Sequence, residues 1–253
     1  MRTIQGQETL VPRTTHEIGV DTLHDEIVVP NPFAEAILVF RGGAKGEERP
    51  IRILQGPKTQ LGYTDNVAVD PIHNEIYVVE FRTDSILVFP REANGDVAPI
   101  RIIHGPKTRL DRPMRISVDP VNNLMAVTSI AGLLLFNRTD NGDVAPRTVI
   151  AGPKTGLGGE GSLIYKAVLN PKSKKIIVAG GTRASTPGGT RGAFLGIWNY
   201  GDYGDVPPWA ILRGNATTKL RGTNGGLDVN PDAQEVLVLS GGGMLVYHLP
   251  EFF

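Results

Sequence analysis

One short segment recurs along this chain, and its spacing limits the possible folds more than any other feature. The clearest copy reads Arg-Ile-Ile-His-Gly-Pro-Lys-Thr. Strong and weak copies lie at 2–6, 51–59, 101–108, 147–155 and 210–214. Their glycines follow one another at about fifty residues, with one longer interval between Gly152 and Gly214. A period of this length is typical of folds in which each repeat forms one structural unit.

Each repeat contains three further apolar runs separated by turns. A short strand ends in an Asx turn, as in residues 67–71, and a second strand follows. A third strand is rich in Ile, Leu, Val and Phe, as in 86–89, and a Gly-Asp reversal such as Gly95-Asp96 leads into the next copy. Gly, Pro and Asx at these places favour turns. The pattern therefore predicts four short antiparallel strands in each repeat.

The nearly continuous apolarity of the third strands requires that both of their faces are covered. A ring of four-stranded sheets packed face to face covers both, and β-propellers are built in this way. Small residues in the first strands fit strands that crowd around a central axis; they are Gly19, Ala68, Ser117 and Ala167. A stacked solenoid is the alternative, and it would require capping repeats, whereas both ends here are ordinary repeat fragments.

Strand counting predicts the number of blades. The chain begins with a fourth-type strand at 2–6 and ends with a third-type strand at 244–248. We therefore expect an all-β, five-bladed β-propeller of four-stranded antiparallel blades, closed by the N-terminal strand, which completes the last blade and removes the open edges. A six-bladed ring would require a repeat beyond this sequence. A single domain is expected over 1–253, with repeats at about 2–49, 50–98, 99–145, 146–207 and 208–253.

The alternation of Val-Asp-Pro turns with Ile-x-Val-Phe strands resembles the NHL-repeat propellers. The Asn-Gly-Asp-Val-Ala-Pro segments at 94–99 and 141–146 are similar to those of bacterial members. The resemblance covers nearly the whole chain and is strongest in the second and third repeats. It implies the propeller fold more than any activity, because such rings include protein- and RNA-binding modules, and similar rings serve as lyases and esterases.

Composition removes several classes of function. Lys plus Arg equals Asp plus Glu at 26 each, so a bulk polyanion-binding protein is not expected. Cysteine is absent, which excludes disulfides, thiolate metal sites and Cys nucleophiles. No apolar run is long enough for a membrane span. The first residues lack the apolar core of a secretory signal; a removed leader would place the protein in the periplasm or outside the cell.

The predicted channel mouth is the expected binding face. Loops that join fourth to first strands and second to third strands form it, and they carry more basic than acidic residues. A concave basic site attracts anions, so we expect an acidic protein or a small anionic ligand as partner. Solvated turns with an incidental charge bias are the alternative. The candidate ligand-binding residues are Arg109, Arg112, Arg115, Arg183, Arg191 and Arg221.

Four other features of the sequence require interpretation. An insertion at 180–191 is expected to be a long loop without structure of its own that enlarges the mouth, where it is either functional or merely tolerated. The lysines that recur beside the repeat glycines are expected to be architectural, since a unique site needs asymmetry; they are Lys58, Lys107 and Lys154. Residues 156–161 match G-x-G-x-x-G but join two strands rather than opening a helix. Aromatic residues make up 6% of the chain and lie mostly inside strands, so nucleic acid is not an expected partner.

His16, Asp65 and Asn224 form a candidate metal site at the predicted mouth. Their oxygen-rich ligand set suits Ca²⁺ more than Zn²⁺, and ordered water held by the same groups is the alternative. Beyond this Ca²⁺ no cofactor is predicted. The first functional hypothesis is a non-catalytic binding scaffold that presents the basic mouth to its partner. The second is a divalent-cation-dependent hydrolase or lyase with its site at the mouth of the channel.

Overall fold

The computed structural model describes residues 2–64, 66–159, 161–183, 190–221 and 226–253, with the backbone alone described at 182, 183, 190 and 191. These residues form nineteen strands in five antiparallel sheets, so the predicted five-bladed β-propeller is confirmed. Short 3₁₀ turns are the helical elements of this part of the chain, and none of its helices is long and apolar enough to cross a membrane.

The strands follow the repeat order. The first blade contains β1 (Gly19–Asp21), β2 (Glu26–Asn31), β3 (Ala36–Arg41) and β4 (Arg52–Gln55). The second contains β5 (Val67–Asp70), β6 (Glu75–Glu80), β7 (Ser85–Pro90) and β8 (Arg101–Ile103). The third contains β9 (Arg115–Asp119), β10 (Leu124–Ser129), β11 (Gly132–Asn137) and β12 (Thr148–Ile150). The fourth contains β13 (Ser162–Asn170), β14 (Lys175–Arg183), β15 (Thr190–Asn199) and β16 (Ala210–Arg213). The fifth contains β17 (Leu227–Asn230), β18 (Glu235–Ser240) and β19 (Gly243–His248).

The core lies between neighbouring blades, where the middle strands of each sheet are covered on both faces. Aromatic side chains on four third strands are fully or almost fully buried; they are Phe40, Phe89, Phe136 and Trp198. The first strands of successive blades contact one another around the central axis, from β1 to β17. The insertion of the fourth repeat extends the β14–β15 hairpin, where Arg183 pairs with Thr190. The tip of this hairpin, 184–189, lies outside the described residues.

A repeated contact, here called the latch, joins each of three blades to the next at the outer edge. Leu54 forms a parallel bridge with Gly95, and the backbone N–H of Lys58 donates to Oδ1 of Asp96 at 2.7 Å. Gly56 has φ +131°, and a Cβ built there would lie 2.6 Å from Asp96. This close approach and the positive φ both require glycine. The same bridge joins Ile103 to Gly142 and Ile150 to Gly204.

The fifth blade differs from the other four. Within the described residues its sheet has three strands, in the order β17-β18-β19. The N-terminal segment forms a bridge from Ile4 to Gly46 of the first blade, which is the latch position of a preceding fourth strand. Met244 and Val246 on β19 are 60% and 47% exposed, so the predicted cover on both faces of this third strand is not observed. Pairing of the N-terminal strand with β19 is not shown, and closure stays a prediction.

Candidate functional site

Asx residues at the end of the first strands fix a common register in the first four blades. Asp70, for example, is fully buried and accepts hydrogen bonds from the backbone N–H groups of Ile72 and His73 at 3.0 and 2.9 Å. Asp21, Asp119 and Asn170 occupy the equivalent buried positions. Because each turn anchors its strand, the residue four positions earlier lies at the same level of each blade, at the channel mouth.

The residues at that level are Glu17, Asn66, Arg115 and Lys166, one from each of the first four blades. We call this set the mouth cluster. The Nδ2 of Asn66 donates to Oε2 of Glu17, and Nζ of Lys166 pairs with Oε1. The Nε of Arg115 lies 3.8 Å from Oε2. The Oδ1 of Asn66 in turn accepts the backbone N–H of Ile116 at 2.8 Å, which fixes the orientation of the amide.

The mouth cluster combines one carboxylate with two cations in a site that is largely shielded from water. The exposed fractions of the Glu17, Arg115 and Lys166 side chains are 11%, 15% and 17%. Partial burial strengthens electrostatic interactions relative to open water. The formal charge of the cluster is positive by one, since a single carboxylate faces two basic groups. An anion at this mouth would therefore meet an excess of positive charge.

Two cavities adjoin the mouth cluster. One of about 180 Å³ has Tyr63, Phe81 and Met114 in its wall, and Arg115 borders it on the cluster side. The guanidinium carbon of Arg82 lies 5.6 Å from the ring centroid of Tyr63, which is within the range of a cation–π contact. The cavity is therefore lined mainly by apolar and aromatic side chains and has a basic residue at one edge.

The second cavity has a volume of about 330 Å³ and lies between the first and last blades. His16, Glu17 and Lys166 line one part of it, and Leu239 and Met244 of the fifth blade line another. Polar groups converge at one end of a largely apolar wall, as is usual for small-molecule sites.

The predicted ligand-binding arginines lie in three kinds of environment. Arg115 belongs to the mouth cluster. Arg109, Arg112 and Arg221 are exposed on mouth loops, and Arg112 is within 3.4 Å of the Asp111 carboxylate. The side chains of Arg183 and Arg191 lie outside the described residues. The structure therefore brings one of the predicted arginines into the cluster and leaves three on the rim.

The predicted metal site is only partly described. His16 is exposed and borders the larger cavity, whereas Asp65 and Asn224 lie outside the described residues. In the described ranges no group of three or more His, Asp and Glu side chains is arranged to hold a metal ion. The Ca²⁺ site therefore stays a prediction.

The prediction from sequence missed Glu17, Asn66 and Lys166. Its metal residues His16 and Asp65 are each one position before a cluster residue. The loops before the first strands differ in length, and Lys166 follows a β-bulge. Counting residues forward along these loops therefore does not identify equivalent positions in different blades. Counting back from the buried Asx residue of each turn would have identified all four positions.

Buried charges on the opposite face serve to join blades. The Glu75 carboxylate accepts hydrogen bonds from Arg101 of its own blade at 2.8 Å and from Arg138 of the next blade at 2.6 Å. Burial raises the pKa of Glu75, but the hydrogen bonds from Arg101 and Tyr77 outweigh it and hold the pKa at about 2. Glu26 makes equivalent contacts one blade earlier. Because this network repeats, we assign it to architecture rather than to a ligand site.

Comparison with known proteins supports the fold and establishes no activity. No protein-family model matches the chain, and no curated protein matches it. A solved structure from Bacteroides uniformis, provisionally named as a 6-phosphogluconolactonase, matches 87% of this chain with a TM-score of 0.57 and 14% sequence identity. This chain spans 62% of the length of that protein. At such low identity the match shows a β-propeller fold alone, and membership of the NHL-repeat family stays a prediction.

Proposed function

We propose that this protein is a non-catalytic binding module whose channel mouth receives an acidic protein segment or a small anionic ligand. The observation that carries the proposal is the mouth cluster, in which Arg115 and Lys166 converge on the single carboxylate of Glu17. A ligand carboxylate or phosphate would compete with Glu17 for these cations, and the excess positive charge favours its entry.

The rim supports the same function. Arg82, Arg109 and Arg112 are exposed on loops around the mouth, where their charges steer an anion toward the channel at low ionic strength. Acidic residues are also present, since the Asp84 carboxylate accepts the backbone N–H of Arg112 at 2.6 Å. Side-chain hydrogen bonds from the arginines to a ligand would add geometric specificity to this attraction.

Fluorescence anisotropy with a labelled (Glu-Ser)₆ peptide tests the proposal, with (Lys-Ser)₆ as the matched control. The acidic peptide is expected to bind and the basic one to bind far more weakly. Affinity should fall as salt rises, because screening shortens the Debye length to about 10 Å at 0.1 M. Equal binding of both peptides, or binding that is insensitive to salt, would contradict the proposal.

A matched pair of variants locates the binding face. Arg112→Gln removes an exposed charge at the mouth, and Arg147→Gln removes an exposed charge before β12 on the opposite face. Arg112→Gln is expected to weaken binding of the acidic peptide about three- to tenfold, equivalent to about 1 kcal/mol. Arg147→Gln should bind as the unchanged protein does. Equal losses in the two variants would place binding elsewhere.

Hydrolysis at the same mouth is a second candidate function. It is favoured by the name of the Bacteroides uniformis neighbour and by His16 and Glu17, which line one cavity. The test is hydrolysis of 6-phosphogluconolactone by purified protein, with and without added Ca²⁺, Mn²⁺ or Zn²⁺, together with elemental analysis. Turnover that Glu17→Gln abolishes would support an enzyme. Absence of turnover, with binding of the acidic peptide intact, supports the binding module.

A further inference from the structure

The outer edges of three fourth strands each hold a Gly-Asp turn from the next blade. At β8 the N–H of Gly142 donates to the carbonyl of Ile102 at 2.7 Å, and the N–H of His104 donates to the carbonyl of Gly142 at 3.3 Å. The backbone N–H of Ile102 donates to Oδ1 of Asn141 at 3.0 Å. An Asn-Gly-Asp turn therefore pairs with both the outward-facing N–H groups and the outward-facing carbonyl group of an edge strand.

Among the described residues, no Gly-Asp turn lies on the equivalent edge of β16. The isolated bridges that join the other fourth strands to such turns do not include this strand. The exposure of its side chains shows the same difference. Ile103 and Ile150, at the centre of a latch, are fully buried, whereas the equivalent Leu212 is partly exposed. Ile211 is 40% exposed, compared with 6% for the equivalent Val149.

A groove of about 410 Å³ lies along this edge. Ile211, Leu212 and Arg213 form one wall, and Leu249 and Glu251 border the other. Residues 249–253, which follow β19, do not cover it, because Phe252 turns inward and is fully buried in the core between the fourth and fifth blades. The carbonyl of Phe252 accepts hydrogen bonds from Asn170 and Ser173, which holds the tail in that path.

We propose that the β16 groove is a binding site for a peptide segment that contains an Asn-Gly-Asp turn. The turn glycine donates to the Ile211 carbonyl and accepts from the Arg213 N–H, and the asparagine side chain accepts the Ile211 N–H. These contacts copy the internal latches. Arg213 is exposed and places a positive charge beside the groove, where the equivalent Gln55 of the first blade is neutral, and this charge attracts the turn aspartate.

The chain supplies its own probe for this site. A synthetic peptide of residues 91–99 contains the Asn-Gly-Asp turn that latches the second blade. Its matched control replaces the turn glycine by valine, which disfavours the positive φ of 75° that Gly95 adopts. Binding is measured by calorimetry and by the fluorescence of Trp209, which is 56% exposed and directly precedes β16.

The unchanged protein is expected to bind the glycine peptide saturably and the valine peptide at least about tenfold more weakly. Ile211→Glu should weaken binding by about tenfold or more, since a carboxylate would face the turn aspartate. Val121→Glu is the control, because Val121 is 71% exposed on a turn of another blade. If Ile211→Glu does not fold, Arg213→Glu tests the same wall at an exposed position.

Absence of saturable binding up to about 5 mM peptide, a level at which even millimolar affinity is visible, overturns the proposal. Equal binding of the glycine and valine peptides also overturns it, as does unchanged binding by both groove variants. The groove shares no residue with the mouth cluster, so these outcomes are independent of the function proposed for the mouth.

Discussion

Equivalent repeat positions hold the same residue type at the outer edge but different residue types at the channel mouth. At the outer edge, Gly95, Gly142 and Gly204 make the same bridge to the preceding blade. At the mouth, one equivalent position holds Glu17, Asn66, Arg115 and Lys166 in successive blades. Repetition at the edge serves packing between blades, because the same bridge between a fourth strand and a turn glycine forms at each of these interfaces. Variation at the mouth produces an asymmetric cluster, and asymmetry is what a single ligand requires.

Substitution of a latch glycine should give the largest effect on stability. Gly105 has φ +126°, and a Cβ there would lie 2.5 Å from Cγ of Asp143. Gly105→Ala is expected to lower the free energy of unfolding by about 2–4 kcal/mol, from backbone strain and the displaced aspartate. Urea denaturation measures it. Gly201→Ala, where a Cβ meets no atom within 4 Å, should change stability by less than about 0.5 kcal/mol.

Acid should weaken the repeated charge network. The folded-state pKa of Glu75 is lowered from 4.5 to about 2, so its contribution is fully present above pH 4.5 and is lost as pH falls toward 2. The contribution at neutral pH is at most about 3 kcal/mol. Denaturation between pH 5 and pH 2 should show a shallower loss of stability in Glu75→Gln than in the unchanged protein, while the exposed-site variant Glu35→Gln keeps the full slope. Parallel slopes for all three would contradict the assignment.

Removal of a latch carboxylate should have a smaller effect on stability than the two changes above. Asp143 accepts the backbone N–H of Lys107 at 2.7 Å, and Asp143→Ala leaves that donor to water. The expected loss is about 1 kcal/mol of unfolding free energy. Lys107→Gln is the control, since the latch uses only the backbone of this residue, and it should leave stability nearly unchanged. A larger loss in Lys107→Gln would show that the lysine side chain matters.

Substitution inside the mouth cluster should affect binding more than stability. Lys166→Gln removes one of two cations around Glu17, and the acidic peptide is expected to bind about tenfold more weakly, a change of about 1.4 kcal/mol. Lys172→Gln removes an exposed charge on the opposite face and should bind normally. Anisotropy and urea denaturation of the same samples separate the two readouts. A large loss of stability with unchanged affinity would make Lys166 structural.

Much of the fold was predictable from sequence, because turn chemistry and apolar runs repeat with one period. Strands such as Val67–Asp70 agree with the predicted run. The insertion at 180–191 differs from the expected loop, because its two ends continue the paired strands of the fourth-repeat hairpin. The mouth cluster was predicted only through Arg115. Unequal loops moved the expected positions to His16 and Asp65, and register is set instead by hydrogen bonds of buried Asx turns. The β16 groove was not predictable, since it depends on the path of the chain after β19.

Hydrogen exchange with and without the acidic peptide tests the central claim, that binding occurs where equivalent repeat positions differ. Slower exchange is expected in peptides that cover 110–117 and 162–168, which contain Arg115 and Lys166, and unchanged exchange is expected in the opposite turns at 120–123 and 171–174. Protection confined to the opposite turns, or to the outer-edge latches, would contradict it.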